Sequence, residues 1–283
     1  MASARQPTAR QARLGAELRK LREAAGMSGT EAAAFLGGER SLISHVEAGR
    51  WGIKPERVQF LASHYAATDQ DLIHALTAMA RERRNGWWEK YRGVLPPAML
   101  DLSELEHHAA RLRTAQALLI PGIFQIDEYA RAVFSSSSPG ISDDELNVRV
   151  AHRVSRRGIF ERESPTPYEA IIHEAALHIN YGSRGIARKQ LEYLLSITEW
   201  PSVEIRVIPF DLEAFIGLTP QLFYSDGPLS QLDTVVVESA HDIIFLDARA
   251  QLDKYRALFA AFEKVSLDVD GSRKIIHRIL GEK

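Results

Sequence analysis

A group of short polar side chains lies close together in the sequence between residues 40 and 50. At about 100° per residue, four of them share one face of a helix predicted over residues 40–47: Arg40, Ser41, Ser44 and His45. Serine and histidine donate or accept hydrogen bonds, and arginine can place two parallel donors on guanine O6 and N7. These types and this spacing predict hydrogen bonding to base edges in a DNA major groove.

Two flanking segments have the chemistry of phosphate contacts. Ser28, Gly29 and Thr30 open the preceding helix, where unpaired N–H groups and the helix dipole favour a bound phosphate. Arg50 follows the end of the predicted 40–47 helix and is placed to contact the backbone on the far side. The sequence therefore predicts phosphate contacts by these four residues.

A helix that exposes a polar face must bury its opposite side, and it needs a residue that ends it. Leu42, Ile43 and Val46 fall within roughly 100° of one another and predict the buried stripe. Gly49 supplies the residue type that most often ends a helix.

The surrounding sequence predicts a compact all-α domain. Leu14, Leu18 and Leu21 form a helical stripe, Ser28 and Glu31 have capping-box spacing, and further helices are expected over 55–65 and 68–84. With the helix at 40–47, this makes five short helices joined by turns of two to five residues.

The second half of the sequence predicts an α+β domain with a mixed or antiparallel sheet. Strands are expected in the runs "RLRTAQALLI", "YEAIIHE", "VEIRVIPF", "QLFYSD", "TVVVES" and "DIIFL". Helices are expected near 125–134, 142–162, 185–199, 248–263 and 272–280. The later strands follow one another closely with turn signals between them, which favours this architecture over a doubly wound sheet.

These segments predict four regions along the 283-residue chain. They are a flexible tail (1–12), a helix-turn-helix domain (13–84), a junction (85–98) and an α+β effector or dimerisation domain (99–283). The junction contains "NGWWEKYRGVLPP", whose glycines and prolines are typical of a break between domains.

Charge is distributed unevenly between the two halves. Residues 1–95 hold fifteen Lys/Arg and ten Asp/Glu, whereas the rest holds twenty basic and twenty-seven acidic residues, within a net charge of −2. A basic first part attached to an acidic second part indicates that an anionic partner meets the first part.

Several classes of function are disfavoured by what the sequence lacks. The chain has no cysteine, so disulfides and thiolate metal sites are excluded. It contains no apolar run of about 20 residues, no phosphate-binding loop and no nucleophile elbow. In "HEAALH" the histidines His173 and His178 are five apart, not the four that a zinc helix needs, so we expect a strand-to-helix junction with a buried His173. We therefore expect a cytoplasmic protein that is not an enzyme and holds no cofactor or metal.

The stretch "MSGTEAAAFLGGERSLISHVEAGRWGIKPERVQFLASHY" resembles the helix-turn-helix of XRE/Cro-like regulators over about 40 residues without a gap. The resemblance implies a five-helix, lambda-repressor-like fold. It also implies base contacts from the first half of the third helix, at Arg40, Ser41, Ser44 and His45. Gly29 stands where the family has a DNA-contacting glutamine, and Glu39 stands in place of a serine cap. These departures bear on the target sequence and the affinity.

The second half resembles the C-terminal domain of the actinomycete Scr1-like, or antitoxin-like, regulators. The segments that carry this resemblance include "GWWEKYRGVLPP", "LIPGIFQIDEYARAV" and "VRVAHRVSRRGIF". Members of that family pair functionally with a small partner protein, so the resemblance implies such a partner here.

Together these features predict a sequence-specific transcriptional regulator that binds double-stranded DNA. One short helix reads few base pairs, so we expect a homodimer whose second domain supplies dimerisation and senses a partner or ligand. The alternative is an antitoxin-like partner-binding protein in which DNA binding is secondary autoregulation.

Overall fold

The computed structural model describes residues 7–82, 86–212, 221–238 and 243–283, which fall into two compact units. Unit 1 comprises the described residues of Met1–Lys90 with Met99–Leu105, and unit 2 comprises those of Tyr91–Ala98 with Glu106–Lys283. The boundary predicted between residues 84 and 85 lies outside the described residues. The segment predicted as a junction contains a 3₁₀ helix, Trp87–Tyr91, and the start of a longer α-helix.

Residues 7–82 fold into the five predicted helices. They are α1 (Ala9–Ala24), α2 (Gly29–Phe35), α3 (Arg40–Glu47), α4 (Pro55–His64) and α5 (Gln70–Arg81). The prediction of a flexible tail is wrong for residues 9–12, because α1 begins at Ala9. Thr8 and Gln11 form a capping box there: the Thr8 side chain accepts the Gln11 N–H, and the Gln11 side chain accepts the Thr8 N–H. Residues 1–6 of the predicted tail lie outside the described part.

The helices of unit 1 close around a small apolar core. Each of the five helices contributes fully buried residues, which include Leu18, Ala32, Ile43, Val58, Leu61 and Leu76. Because each helix is short, this shared burial contributes more to its stability than its own propensity does.

Unit 2 contains the predicted α+β architecture. Its described strands are β1 (Arg111–Gln116), β2 (Tyr168–His173), β3 (Val203–Ile208), β4 (Gln221–Asp226), β5 (Thr234–Glu238) and β6 (Ile243–Leu246). They form one sheet in the order β3-β2-β1-β4-β5-β6, in which β1, β2 and β3 are parallel and the β1–β4, β4–β5 and β5–β6 pairs are antiparallel. The sheet is therefore mixed, as the sequence predicts.

Seven further helices complete the described chain. They are α6 (Pro97–His108), α7 (Asp127–Ser137), α8 (Asp143–Ser155), α9 (Glu174–His178), α10 (Arg184–Ile197), α11 (Arg249–Val265) and α12 (Val269–Glu282). The five predicted helical regions are present, whereas α6 and α9 are additional.

One apolar core cluster of unit 2 lies between the sheet and α11. Its buried apolar residues include Ala115, Ile171, Tyr224, Val235, Phe259 and Phe262. Residues 168–172 of β2 are all buried, as expected for a central parallel strand covered on both faces. Within the described residues, no helix is long and apolar enough to cross a membrane.

Candidate nucleic-acid interface

The turn between α2 and α3 sets the direction of α3. The chain leaves α2 through Gly37, whose φ of 65° is in the left-handed region, and the N–H of Gly38 donates to the Ala33 carbonyl. Glu39 then precedes α3 without a side-chain capping hydrogen bond. Because Glu39 stands where the family has a serine cap, no N-cap side chain accepts a hydrogen bond from the first N–H groups of α3.

Two glycines bring α3 into close contact with α1. A Cβ atom on Gly15 would lie 2.4 Å from the Glu47 carbonyl oxygen, and one on Gly49 would lie 2.7 Å from the Ala12 nitrogen. Gly49 also has a φ of 69°, which ends α3. Ile43 and Val46 are buried, so the predicted apolar stripe faces the core, although Leu42 is only partly buried. The position of α3 is thus set by close contact between its backbone and that of α1.

An ion pair joins the same two helices. Arg22 of α1 donates from Nε and Nη2 to the two carboxylate oxygens of Glu47, at 2.6 and 3.0 Å, and from Nη1 to the Met27 carbonyl. Both side chains are almost buried, at 11% and 10% exposure. The hydrogen bond to Glu47 raises the pKa of Arg22. Glu47 therefore has a structural partner inside the protein.

The predicted base-reading face points outward. Arg40, Ser41 and Ser44 are exposed, and within the described residues their side chains make no hydrogen bond or ion pair to the protein. Polar groups in this state are available to a ligand, because nothing internal must be broken first.

A groove of about 540 Å³ is lined by some of the predicted base-reading residues and some of the predicted phosphate-contacting residues. Its lining includes Arg40 and Ser44 from α3 and Ser28, Gly29 and Thr30 from the start of α2. A Cβ atom on Gly29 would lie 3.7 Å from Cγ of Arg40, so the Arg40 side chain lies over this glycine. Ser41, His45 and Arg50 lie outside the lining of this groove. Arg19 and Arg22 also line it, and sequence reasoning did not single them out.

The beginning of α2 is already partly occupied by a capping box. The Ser28 hydroxyl accepts the Glu31 N–H, and Glu31 Oε2 accepts the Ser28 N–H at 2.7 Å. That backbone hydrogen bond lowers the pKa of the Glu31 carboxyl, which is fully exposed. The N–H groups of Gly29 and Thr30, in the first turn, have no intrahelical acceptor. A phosphate at this point would meet these two donors and the negative charge of Glu31.

His45 differs from the other three predicted base readers. It is partly buried, its ring stacks on Trp51 with centroids 4.4 Å apart, and Nδ1 is buried without a hydrogen-bond partner among the described residues. The His45 carbonyl accepts the N–H groups of Arg50 and Trp51, which folds the chain back onto α3. Trp51 is half exposed (51%) and was missed from sequence; an aromatic residue just after the glycine stop and Arg50 was the available signal.

The other histidine motif is structural. "HEAALH" spans the junction between β2 and α9, as predicted, and His173 caps α9 by accepting the Ala175 N–H. His173 is partly buried rather than buried, and this burial lowers its pKa. In the part of the chain that the structure describes, no three His, Cys, Asp or Glu residues form a group that could hold a metal ion.

Five helices, with α3 exposing a polar face beside the start of α2, are the arrangement of a helix-turn-helix domain, a fold that suggests a DNA-binding regulator. Residues 13–76 match a family model described as a helix-turn-helix domain. Residues 99–278 match a model described as a domain of unknown function, DUF5753, and because this match covers more than half of the chain, the protein belongs to that family. Comparisons with curated proteins and with solved structures found no match.

Proposed function

We propose that this protein is a sequence-specific transcriptional regulator that inserts α3 into the DNA major groove. The observation that carries the proposal is the exposed face of Arg40, Ser41 and Ser44. It has no internal hydrogen bonds among the described residues, and it lies on a helix held by α1. A helix that is rigid on one side and unbonded on the other suits readout of base edges.

The proposal gives each predicted residue a role at the duplex. Arg40, Ser41, Ser44 and His45 contact bases, with the His45 ring held by Trp51. Ser28, Gly29, Thr30 and Arg50 contact phosphates, the first three at the start of α2. Arg19 and Arg22 also line this groove, where each is paired with a carboxylate, Glu23 and Glu47 respectively.

We further propose a homodimer in which unit 2 supplies the dimer contact and senses a ligand or small partner protein. The resemblance of unit 2 to the Scr1-like regulators supports the sensing role. On this proposal the protein acts by binding rather than catalysis, without a cofactor, in the cytoplasm and at the nucleoid.

Competition binding with the Arg40→Ala variant tests base reading. Loss of a bidentate contact should cost about 1–3 kcal/mol on the preferred operator and much less on a scrambled duplex. The operator itself comes from genome-wide mapping of the bound protein. Equal losses on operator and scrambled DNA would contradict base reading by Arg40.

Arg50→Ala is the matched comparison in the same assay. A phosphate contact carries no sequence information, so this variant should weaken operator and scrambled DNA alike. It should also reduce the slope of log affinity against log salt by about one. An unchanged slope would remove Arg50 from the phosphate contacts.

The acidic balance of the second half favours one other candidate, an antitoxin-like protein that mainly binds a partner. It predicts co-purification with the product of a neighbouring short gene and weak operator binding by the isolated chain. Tight operator binding without such a partner would favour the regulator.

A further inference from the structure

Four arginines of unit 2 lie on one stretch of helix, and we call them the arginine cluster. The first two belong to α8, and the last two belong to the 3₁₀ helix Arg156–Ile159 that follows it: Arg149, Arg153, Arg156 and Arg157. Three of them reach the segment at residues 122–125 or lie close to it. The cluster is therefore a local concentration of positive charge within unit 2.

Two members of the cluster have carboxylate partners. Arg149 pairs with Glu145 at 2.6 Å, and Arg156 donates from Nε and Nη2 to the two oxygens of Glu106. Burial opposes the charge of Arg156, but the attraction of Glu106 outweighs it and raises the pKa of Arg156. Glu106 is itself buried, so this pair is internally satisfied.

Arg153 has no carboxylate in contact among the described residues. Its Nη1 donates to Gln125 Oε1, and its guanidinium lies 3.9 Å from the Phe134 ring centre. Its Nε is buried and has no hydrogen-bond partner in the described part of the chain. Burial, followed by repulsion from Arg156, lowers the pKa of Arg153 to about 9, although Glu238 and Glu106 attract it from further away. The guanidinium is thus charged at neutral pH and incompletely neutralised.

Arg157 is also held by neutral oxygens and an aromatic ring, and it also contacts Gln125. It donates to the backbone carbonyls of Ile123 and Gln125, and its guanidinium lies 4.9 Å from the Tyr193 ring centre. No carboxylate is within ion-pair distance of it in the described chain. The guanidinium groups of Arg153 and Arg157 are therefore held by neutral oxygens and aromatic faces, with no carboxylate in contact among the residues that the structure describes.

The Nε and Nη2 atoms form one edge of a guanidinium group, and in Arg153 this edge has no acceptor among the described residues. In two other arginines of this protein the same edge binds a carboxylate. Arg22 and Arg156 both use Nε with Nη2 on a carboxylate, whereas Arg153 uses Nη1 on an amide. Beside this edge the chain has Gly122, on which a Cβ atom would lie 3.5 Å from Arg153 Nε. A larger residue at position 122 would therefore crowd this edge of the guanidinium.

We propose that Arg153, with Arg157 beside it, binds the carboxylate or phosphate group of a small anionic ligand in unit 2. The planar fork of arginine matches both groups, and a bound anion would neutralise a charge that is costly to bury alone. This inference extends the sensing role proposed for unit 2 and does not depend on DNA binding.

Thermal unfolding of the full chain tests the site, with sodium phosphate and sodium acetate as separate probes against sodium chloride at equal ionic strength. The wild type should gain a saturable increase in Tm, about 3 °C at a tenfold excess over Kd, with at least one probe. Arg153→Met keeps bulk over Phe134 and should lose that increase. The response to each probe shows which anionic group the site prefers.

The control variant is Arg188→Met, because Arg188 is exposed on α10 and pairs with the exposed Glu192. It should keep the full anion response, including the general stabilisation by phosphate. If Arg153→Met does not fold, Gly122→Ala replaces it and should shift the response to higher anion concentration. No response in the wild type, or an unchanged response in the folded variant, overturns the site without affecting the DNA-binding proposal.

Discussion

At the scale of single residues, the arginines that hold this protein together have carboxylate partners, whereas those that we propose to contact DNA have none among the described residues. Arg22 and Glu47 are nearly buried and bonded to each other through two parallel hydrogen bonds. Arg40 and Arg50 are exposed, and no bond to their side chains exists in the described part of the chain. The same residue type therefore serves two purposes in unit 1, decided by its surroundings.

The Arg22–Glu47 pair leads to a stability prediction. Glu47→Gln removes the negative charge but keeps the size, which leaves Arg22 nearly buried without a counter-charge. We expect the free energy of unfolding of unit 1 to fall by about 3 kcal/mol. Urea denaturation followed by far-ultraviolet circular dichroism measures this change.

Glu192→Gln is the matched control, because Glu192 pairs with Arg188 four residues earlier on the exposed surface of α10. Exposed pairs of this kind contribute about 0.3–0.5 kcal/mol. If both variants unfolded at the same urea concentration, the Arg22–Glu47 pair would not be a main contact between α1 and α3.

At the scale of elements, the position of α3 depends on how closely it approaches α1. Gly15 lies in the interior of α1, where its lack of a side chain lets the backbone carbonyls of Val46 and Glu47 come near. Helix propensity alone would favour alanine at such a site by about 1 kcal/mol. At position 15, packing against α3 thus requires glycine, whereas helix propensity favours alanine.

The Gly15→Ala variant shows which effect is larger, the loss of packing against α3 or the gain in helix propensity. The added methyl group would lie within 3 Å of two carbonyl oxygens, so α3 must move away from α1. We expect a net loss of about 1–3 kcal/mol in stability and a larger loss in operator affinity, because the reading face is displaced. Denaturation and operator titration measure the two effects.

Gly281→Ala is the comparison, because that helical glycine has no atom within 4 Å of its added Cβ position. This variant should be as stable as the wild type or slightly more so, with unchanged operator binding. Stabilisation by Gly15→Ala would show that α1 and α3 are not in the close contact described above.

At the scale of the whole molecule, two units with opposite charge balance share one chain. The first 95 residues are net basic and the remainder is net acidic. Duplex DNA attracts the first part through its phosphates, while the acidic part adds no such attraction. This division favours a DNA-binding unit 1 and a regulatory unit 2.

The proposed homodimer predicts a dependence on operator spacing. Two copies of α3 would read half-sites about 34 Å apart, one helical turn of DNA. Inserting about five base pairs between the half-sites turns one of them to the opposite side of the duplex, so affinity should fall at least tenfold.

Electrophoretic mobility shifts on the two operators, together with sedimentation of the free protein, measure this effect. Deleting one half-site serves as the control and should cause a similar loss. A monomer in sedimentation that binds both spacings equally would rule out the dimer.

Local pattern was sufficient to predict most elements of the fold. The five helices of residues 7–82 and the six described strands were predicted, because periodicity and capping residues act over a few neighbours. The exceptions also have local reasons. The Thr8–Gln11 capping box begins α1 inside the predicted tail, and α7 continues to Ser137 through serines that usually mark a loop.

The sequence by itself determined that a short helix has one apolar and one polar face, since both are properties of consecutive residues. Only the tertiary structure decided that Gly15 touches the end of that helix, that Trp51 stacks on His45 and that Arg153 has no carboxylate partner among the described residues. Each of these depends on distances between atoms that the packed chain brings together. Burial and charge neutralisation follow from such distances, and no local pattern contains them.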